Sequence, residues 1–242
     1  MSTVPTSSRI SELRRAIERT RQDAFLVEAR VIRRVMRERH GFARLSTRIP
    51  HAEVLVVDAD DVRAYSHPDE LGLDSYQSLP DRVILVAQPE EHELDERPIQ
   101  ELLLQLWGRL FHGCIDLKHA RRRHDGRLTR ARVDERISLI GQVEFDEARA
   151  VLKSELRLVD TDSHVEAYCE FVAVYLHLLK FSPDLLPVWF PSLAEKKHLT
   201  DVFSLSVNAD EVYAASRLYG AAEPDLVSGN LRDEERITRE RQ

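Results

Sequence analysis

Apolar residues fall at helical intervals along most of this chain, interrupted by one region in which they run together. Ile10, Leu13, Ile17, Ala24, Val27, Val31 and Val35 recur at helical spacing, the signature of an amphipathic helix. Charged residues fill most of the surface between them. The spacing predicts one long helix over residues 9–40, capped by Ser7 or Ser8 and stopped at Gly41. The small polar residues 1–8 ahead of it are expected to be disordered. The pattern then changes. "AEVLVVDADDV" and "RVILVAQP" are short β-branched runs bounded by turn residues, which predicts two strands that need a helix to cover them. Between them, "YSHPDELGLDSYQSLPD" reads as loop with room for one helical turn.

From Pro98 the helical period returns. It predicts helices over 97–124, 128–158, 163–181 and 208–219, with a weaker one over 192–204. Gly126 breaks the first from the second, and "VDTDSH" separates the second from the third. Asp162 or Ser163 caps the third, with Glu166 completing a capping box. Residues 229–242, which include "NLRDEERITRERQ", form a polar tail with almost nothing to bury. The expected class is mainly α. A helical core of four to five helices over 97–220 follows a long N-terminal helix and a small β-like insertion within 9–96.

Composition narrows the function classes. The 242 residues, 43% hydrophobic and 32% charged, suffice for one or two domains with a real core. Only 8 glycines and 10 prolines favour helices over a many-turned β-sandwich. A net charge of −7 argues against a general nucleic-acid binder. Cys114 and Cys169 both sit in apolar helical patterns, so they read as buried free thiols rather than a secreted disulfide framework. "MSTVPTSSRI" lacks the apolar run of a signal peptide, and no window approaches about 18 uninterrupted apolar residues. The expectation is a soluble cytoplasmic chain with no membrane contact.

The candidate chemistry lies on three consecutive helices. Gln105, Gly108, His112, Asp116 and His119 form one stripe on the first core helix. Such a stripe is either a polar edge in water or, if another layer covers it, the wall of a site. His112 and Asp116, four residues apart, point the same way and can ligate one metal ion. On the third helix, "VEAYCEFVAVYLHLLKF" is apolar nearly all round, and Glu166, Glu170 and His177 project from one side. Glu170 is the third candidate ligand, because a carboxylate in such a helix needs a cationic partner. On the second helix, Glu144 falls in the sector of Ile140, Val143, Ala148, Val151 and Leu152, with Glu147 beside it. Glu144 and Glu147 are the candidate bases, or the groups that orient the ligands; the alternative is a salt bridge to an arginine.

The motif is incomplete. A zinc hydrolase of the H-E-x-x-H kind carries its general base next to the first His, whereas here Gly113 follows His112 and Asp116 stands in place of the second His. A di-iron bundle needs paired E-x-x-H motifs, and the single "EKKH" at Glu195–His198 has no mate. Glycine-rich phosphate loops and G-x-S-x-G are absent.

Two surface features suggest partners. "KHARRRHDGRLTRARVDER" is strongly basic and free of aromatic residues, so Arg121, Arg122 and Arg123 suit an acidic protein surface better than single-stranded nucleic acid. The proline-rich "FSPDLLPVWFPSL" holds Trp189 and Phe190 on a stiff loop, as a lid over the core or as a docking patch. Without a complete catalytic motif, the first expectation is an intracellular protein-interaction module. The second is a metal-dependent hydrolase-like domain, active or degenerate, with zinc held by His112, Asp116 and Glu170.

Overall fold

Four consecutive apolar residues, Ala24–Val27, split the N-terminal helix that the spacing predicts. The computed structural model describes residues 6–40, 53–76, 79–155, 157, 163–193, 196 and 198–224. Within them, α1 (Thr6–Thr20) and α2 (Ala29–His40) flank the strand β1 (Ala24–Val27). A helix would scatter Ala24, Phe25, Leu26 and Val27 around its circumference, whereas a strand covered on both faces buries all four. All four are buried. Arg21 fixes the entry to the strand, donating from Nε and Nη2 to the two carboxylate oxygens of Asp23 at 2.7 and 2.6 Å. Helix α1 already begins at Thr6, so residues 6–8 are helical rather than disordered. Residues 1–5, Gly41, Asp162, Glu195 and the tail 229–242 lie outside the described residues.

The two β-branched runs form β2 (Val54–Asp58) and β3 (Arg82–Ala87). The loop between them holds two short helices, α3 (Ala59–Tyr65) and α4 (Pro68–Leu71). The sheet order is β1-β3-β2, with β3 parallel to β1 and antiparallel to β2. Alternation along β3 divides the interior. Val83, Leu85 and Ala87 face a core built from α2 and α3, while Ile84 and Val86 face the larger helical core.

That larger core is organised by two helices. After α5 (Glu91–Glu96), the 26-residue α6 (Ile99–His124) runs across the sheet, ending in Arg121–His124 where cations suit the helix dipole. The span 128–158 is not one helix. It breaks at Gly141 (φ 108°) into α7 (Arg130–Ile140) and α8 (Gln142–Ser154), a backbone angle that glycine adopts readily. Helix α9 (His164–Phe181) is central, capped by Ser163, whose Oγ accepts from Glu166 N at 3.2 Å. It packs on α6, α7 and α8. A 3₁₀ turn (Pro183–Leu185), α10 (Leu186–Trp189), α11 (Leu199–Ser204) and α12 (Ala209–Ser216) close the core. Trp107 of α6 anchors α12 by donating to Ser216 Oγ at 3.2 Å. The mainly α class holds, and no described helix is long and apolar enough to cross a membrane.

Candidate metal centre

The polar stripe of α6 is not in water. Helix α9 lies against α6, and Gly108, His112 and His119 are buried while Gln105 and Asp116 are half-buried. His112 retains only 5% of its surface. Its Nε2 is 3.4 Å from Asp116 Oδ2, one turn along α6, and 3.8 Å from Glu170 Oε2 on α9. One ligand-type atom from each of the three lies within 4.8 Å of the others. Bonds of about 2.0–2.1 Å to a tetrahedral zinc place neighbouring ligand atoms roughly 3.4 Å apart. The two separations from His112 are close to that edge.

Two glycines of α6 set this geometry. A Cβ on Gly113 would stand 2.6 Å from Ile84 Cγ2 and 2.7 Å from Val54 Cγ2. The residue that replaces the Glu of H-E-x-x-H is thus the one that lets α6 lie on the sheet. A Cβ on Gly108 would stand 2.9 Å from His177 Cε1. His177 fills the space left by Gly108, with Nδ1 3.2 Å from the Gly108 carbonyl and its ring centroid 6.2 Å from that of His112. That hydrogen bond assigns the proton to Nδ1 and leaves Nε2 as the basic atom. Arg157 approaches from the other side, its Nη1 3.9 Å from Glu170 Oε1. In the sequence His177 stands out only as a polar exception on α9, and nothing marks Arg157. The seven-residue spacing from Glu170 to His177 was the available signal, since it puts both on one helix face.

Charge follows from these neighbours. Burial disfavours a cationic His112, but the carboxylates of Asp116 and then Glu170 outweigh it and push the imidazole up to about 10. Burial pushes the Asp116 carboxyl up, against the pull of His112. The two upward shifts have different causes, the carboxylates for His112 and burial for Asp116. Glu170 still faces the imidazole when Asp116 is protonated, so a cationic His112 at neutral pH is the firmer of the two shifts. His177 moves the other way. Burial, then the positive charges of His112 and Arg157, hold it down to about 3, so it is a neutral base. Burial raises the thiols of Cys114 to about 11 and Cys169 to about 12; both are buried and free, and neither offers a thiolate ligand at neutral pH.

The other sequence candidates lie elsewhere. Glu144 is not in the buried sector. The chain restarts at Gly141, Phe145 takes the buried position, Val143 is 68% exposed, and Glu144 pairs with Lys196. Glu147 is exposed on α8. Arg121 and Arg123 are exposed, and Arg122 donates to the Leu205 carbonyl at 3.1 Å. Phe190 is core rather than docking surface, 2% exposed and edge-on to Phe171 at 5.3 Å. Trp189 is half-buried beneath Arg157, whose guanidinium carbon is 5.6 Å from the ring centroid. No protein-family model, no curated protein and no solved structure matches the chain.

Proposed function

We propose that the protein is a metal-dependent, hydrolase-like helical domain in which His112, Asp116 and Glu170 hold one zinc-class ion between α6 and α9. The observation that supports this reading is the meeting of three ligand-type atoms from two helices, all within 4.8 Å, in a largely buried setting. Three protein ligands leave a tetrahedral ion one position for water, the usual composition of a catalytic zinc site. A bound ion supplies Lewis acidity and lowers the pKa of that water. His177 lies on the same face of α9 as Glu170, tethered to the Gly108 carbonyl. Held down to about 3, it is a neutral neighbour of His112 and too weak a base to replace the missing glutamate of H-E-x-x-H. Arg157 opposes the negative charge of Glu170.

Without a metal the same residues make a buried ion-pair network, so metal analysis decides between the two. Purified full-length protein is expected to carry close to one equivalent of zinc, lost in His112→Ala and Glu170→Gln. Metal-free protein that neither binds added zinc nor melts at a higher temperature with it would defeat the reading. A second reading, docking to an acidic protein partner, draws on the exposure of Arg121 and Arg123 at the end of α6. Fluorescence anisotropy with poly-glutamate as the acidic probe tests it. Binding should vanish in Arg121→Glu/Arg123→Glu, and an unchanged titration counts against the role.

A further inference from the structure

Beyond the metal centre, one turn further along α6, a second group of buried side chains leaves several polar atoms without hydrogen-bond partners. His119 is 2% exposed and neither ring nitrogen has a hydrogen-bond partner. Its ring centroid is 6.3 Å from that of Tyr168 on α9. Tyr168 is fully buried, and its hydroxyl, beside Ser206 and Arg136, makes no hydrogen bond of normal geometry. Arg136 of α7 is 7% exposed, its guanidinium carbon 5.8 Å from the Tyr168 centroid and its Nη1 unpartnered. The other nitrogen, Nη2, donates to the Leu205 carbonyl at 3.3 Å, and Arg122 Nη1 donates to the same carbonyl at 3.1 Å. Two guanidinium groups therefore converge on one oxygen. Among the described residues, no carboxylate lies within ion-pair distance of either.

Buried polar groups are nearly always satisfied, and a buried guanidinium is nearly always paired. Here Arg136 Nη1 and the His119 imidazole lack partners, and the Tyr168 hydroxyl has only off-geometry contacts with Ser206 and Arg136. Burial, then Arg136, Arg122 and Arg123, disfavour protonation of His119. The nearby arginines that act on His119 (Arg136, Arg122 and Arg123) are all positive. The missing partner must accept several hydrogen bonds and carry negative charge, as a phosphate-type oxyanion does. We propose that His119, Arg136 and Tyr168 form a binding site for a small tetrahedral oxyanion, phosphate or sulfate, between α6, α7 and α9. This site shares no residue with the proposed metal centre, so either can fail alone.

The test uses the purified full-length chain and inorganic phosphate or sulfate as probes, with ionic strength held constant by sodium chloride. The melting temperature should rise saturably with phosphate or sulfate and not with chloride. Arg136→Gln should weaken the affinity at least about tenfold, the loss of a charge-assisted hydrogen bond. Should that variant fail to fold, Tyr168→Phe keeps the ring, removes the hydroxyl donor and should weaken binding several-fold. Phosphorus NMR line broadening with the unsubstituted protein reads binding directly. Arg121→Gln, at an exposed arginine beside Asp23, should leave the affinity unchanged. The proposal fails if neither anion outdoes chloride, if Arg121→Gln weakens binding as much as Arg136→Gln, or if an experimental structure in phosphate shows only water on these donors.

Discussion

His112 and Asp116 stand one turn apart on α6, Nε2 to Oδ2 3.4 Å, and Glu170 of α9 closes on the same nitrogen from 3.8 Å. One imidazole between two carboxylates must hold either a proton or a metal ion. The proton is held tightly, since His112 is pushed up to about 10.

Zinc must displace that proton, so its apparent affinity should climb about tenfold per pH unit from near 6.5 toward 9. An unperturbed histidine ligand would level off above about 6.5. Competition against a chelator of known pH dependence measures the slope, and a plateau above neutrality would contradict a cationic His112. In metal-free protein the same shift stabilises the fold. The folded pKa exceeds the unfolded one, so this contribution is complete below about 6.5 and disappears as pH rises toward about 10. Glu170→Gln should flatten that alkaline decline.

His119 and His177 act on the acid side. Both are held down to about 3, by burial first and then by nearby positive charge. The unfolded chain takes up protons below about 6.5 while the folded chain does not. Their contribution is therefore present in full above about 6.5 and is lost as pH falls toward about 3, on the order of 2 kcal/mol per histidine by pH 5. Urea midpoints at pH 7 and pH 5 should differ accordingly, offset in small part by His112. NMR titration gives the sharper check: neither ring should titrate between pH 5 and pH 8.

How far the sequence disclosed these groups depended on whether one helix or several carried the information. His112 and Asp116 share a face by spacing alone, and the apolar run around Glu170 marked α9 as central. Both inferences need only the helical period. Ala24–Val27 misled because Ala24, Val27 and Val31 also fit that period; what makes them a strand is pairing with Ile84–Ala87, some sixty residues away. Glu144 misled because the sector argument ran one helix through Gly141, where the backbone turns instead. Gly108 reads in the sequence only as part of the polar stripe and Gly113 only as the missing Glu; the neighbours they admit reveal their purpose.

Glu144 and Glu147 provide a negative control. Glu144 is tied to Lys196 at the surface and Glu147 is exposed. Glu144→Gln and Glu147→Gln should each leave zinc content and zinc affinity unchanged. A loss of metal in either variant would mean that α8 contributes to the centre, against the geometry described above.

Phe190 separates core from docking surface. It packs on Phe171 and Tyr175 at 5.3 and 6.2 Å between centroids. Phe190→Ala should destabilise the fold by about 3–5 kcal/mol, the range for truncating a buried aromatic. Chemical denaturation measures this, and a change within about 0.5 kcal/mol would restore Phe190 to the surface.

Gly113 joins the fold to the site. Alanine is the better helix former by about 1 kcal/mol, so an unconstrained Gly113→Ala would stabilise the protein. Here the added methyl meets Ile84 and Val54 at 2.6 and 2.7 Å, and overpacking of this kind costs roughly 1–3 kcal/mol. The contact should win, leaving a net loss on the order of 1 kcal/mol. Relief requires α6 to lift from the sheet, and His112 is the adjacent residue, so zinc affinity should fall together with the urea midpoint. Gly113→Val should lose more of both. A Gly113→Ala protein that is more stable than the parent and binds zinc equally well would show that α6 does not depend on the sheet for its position.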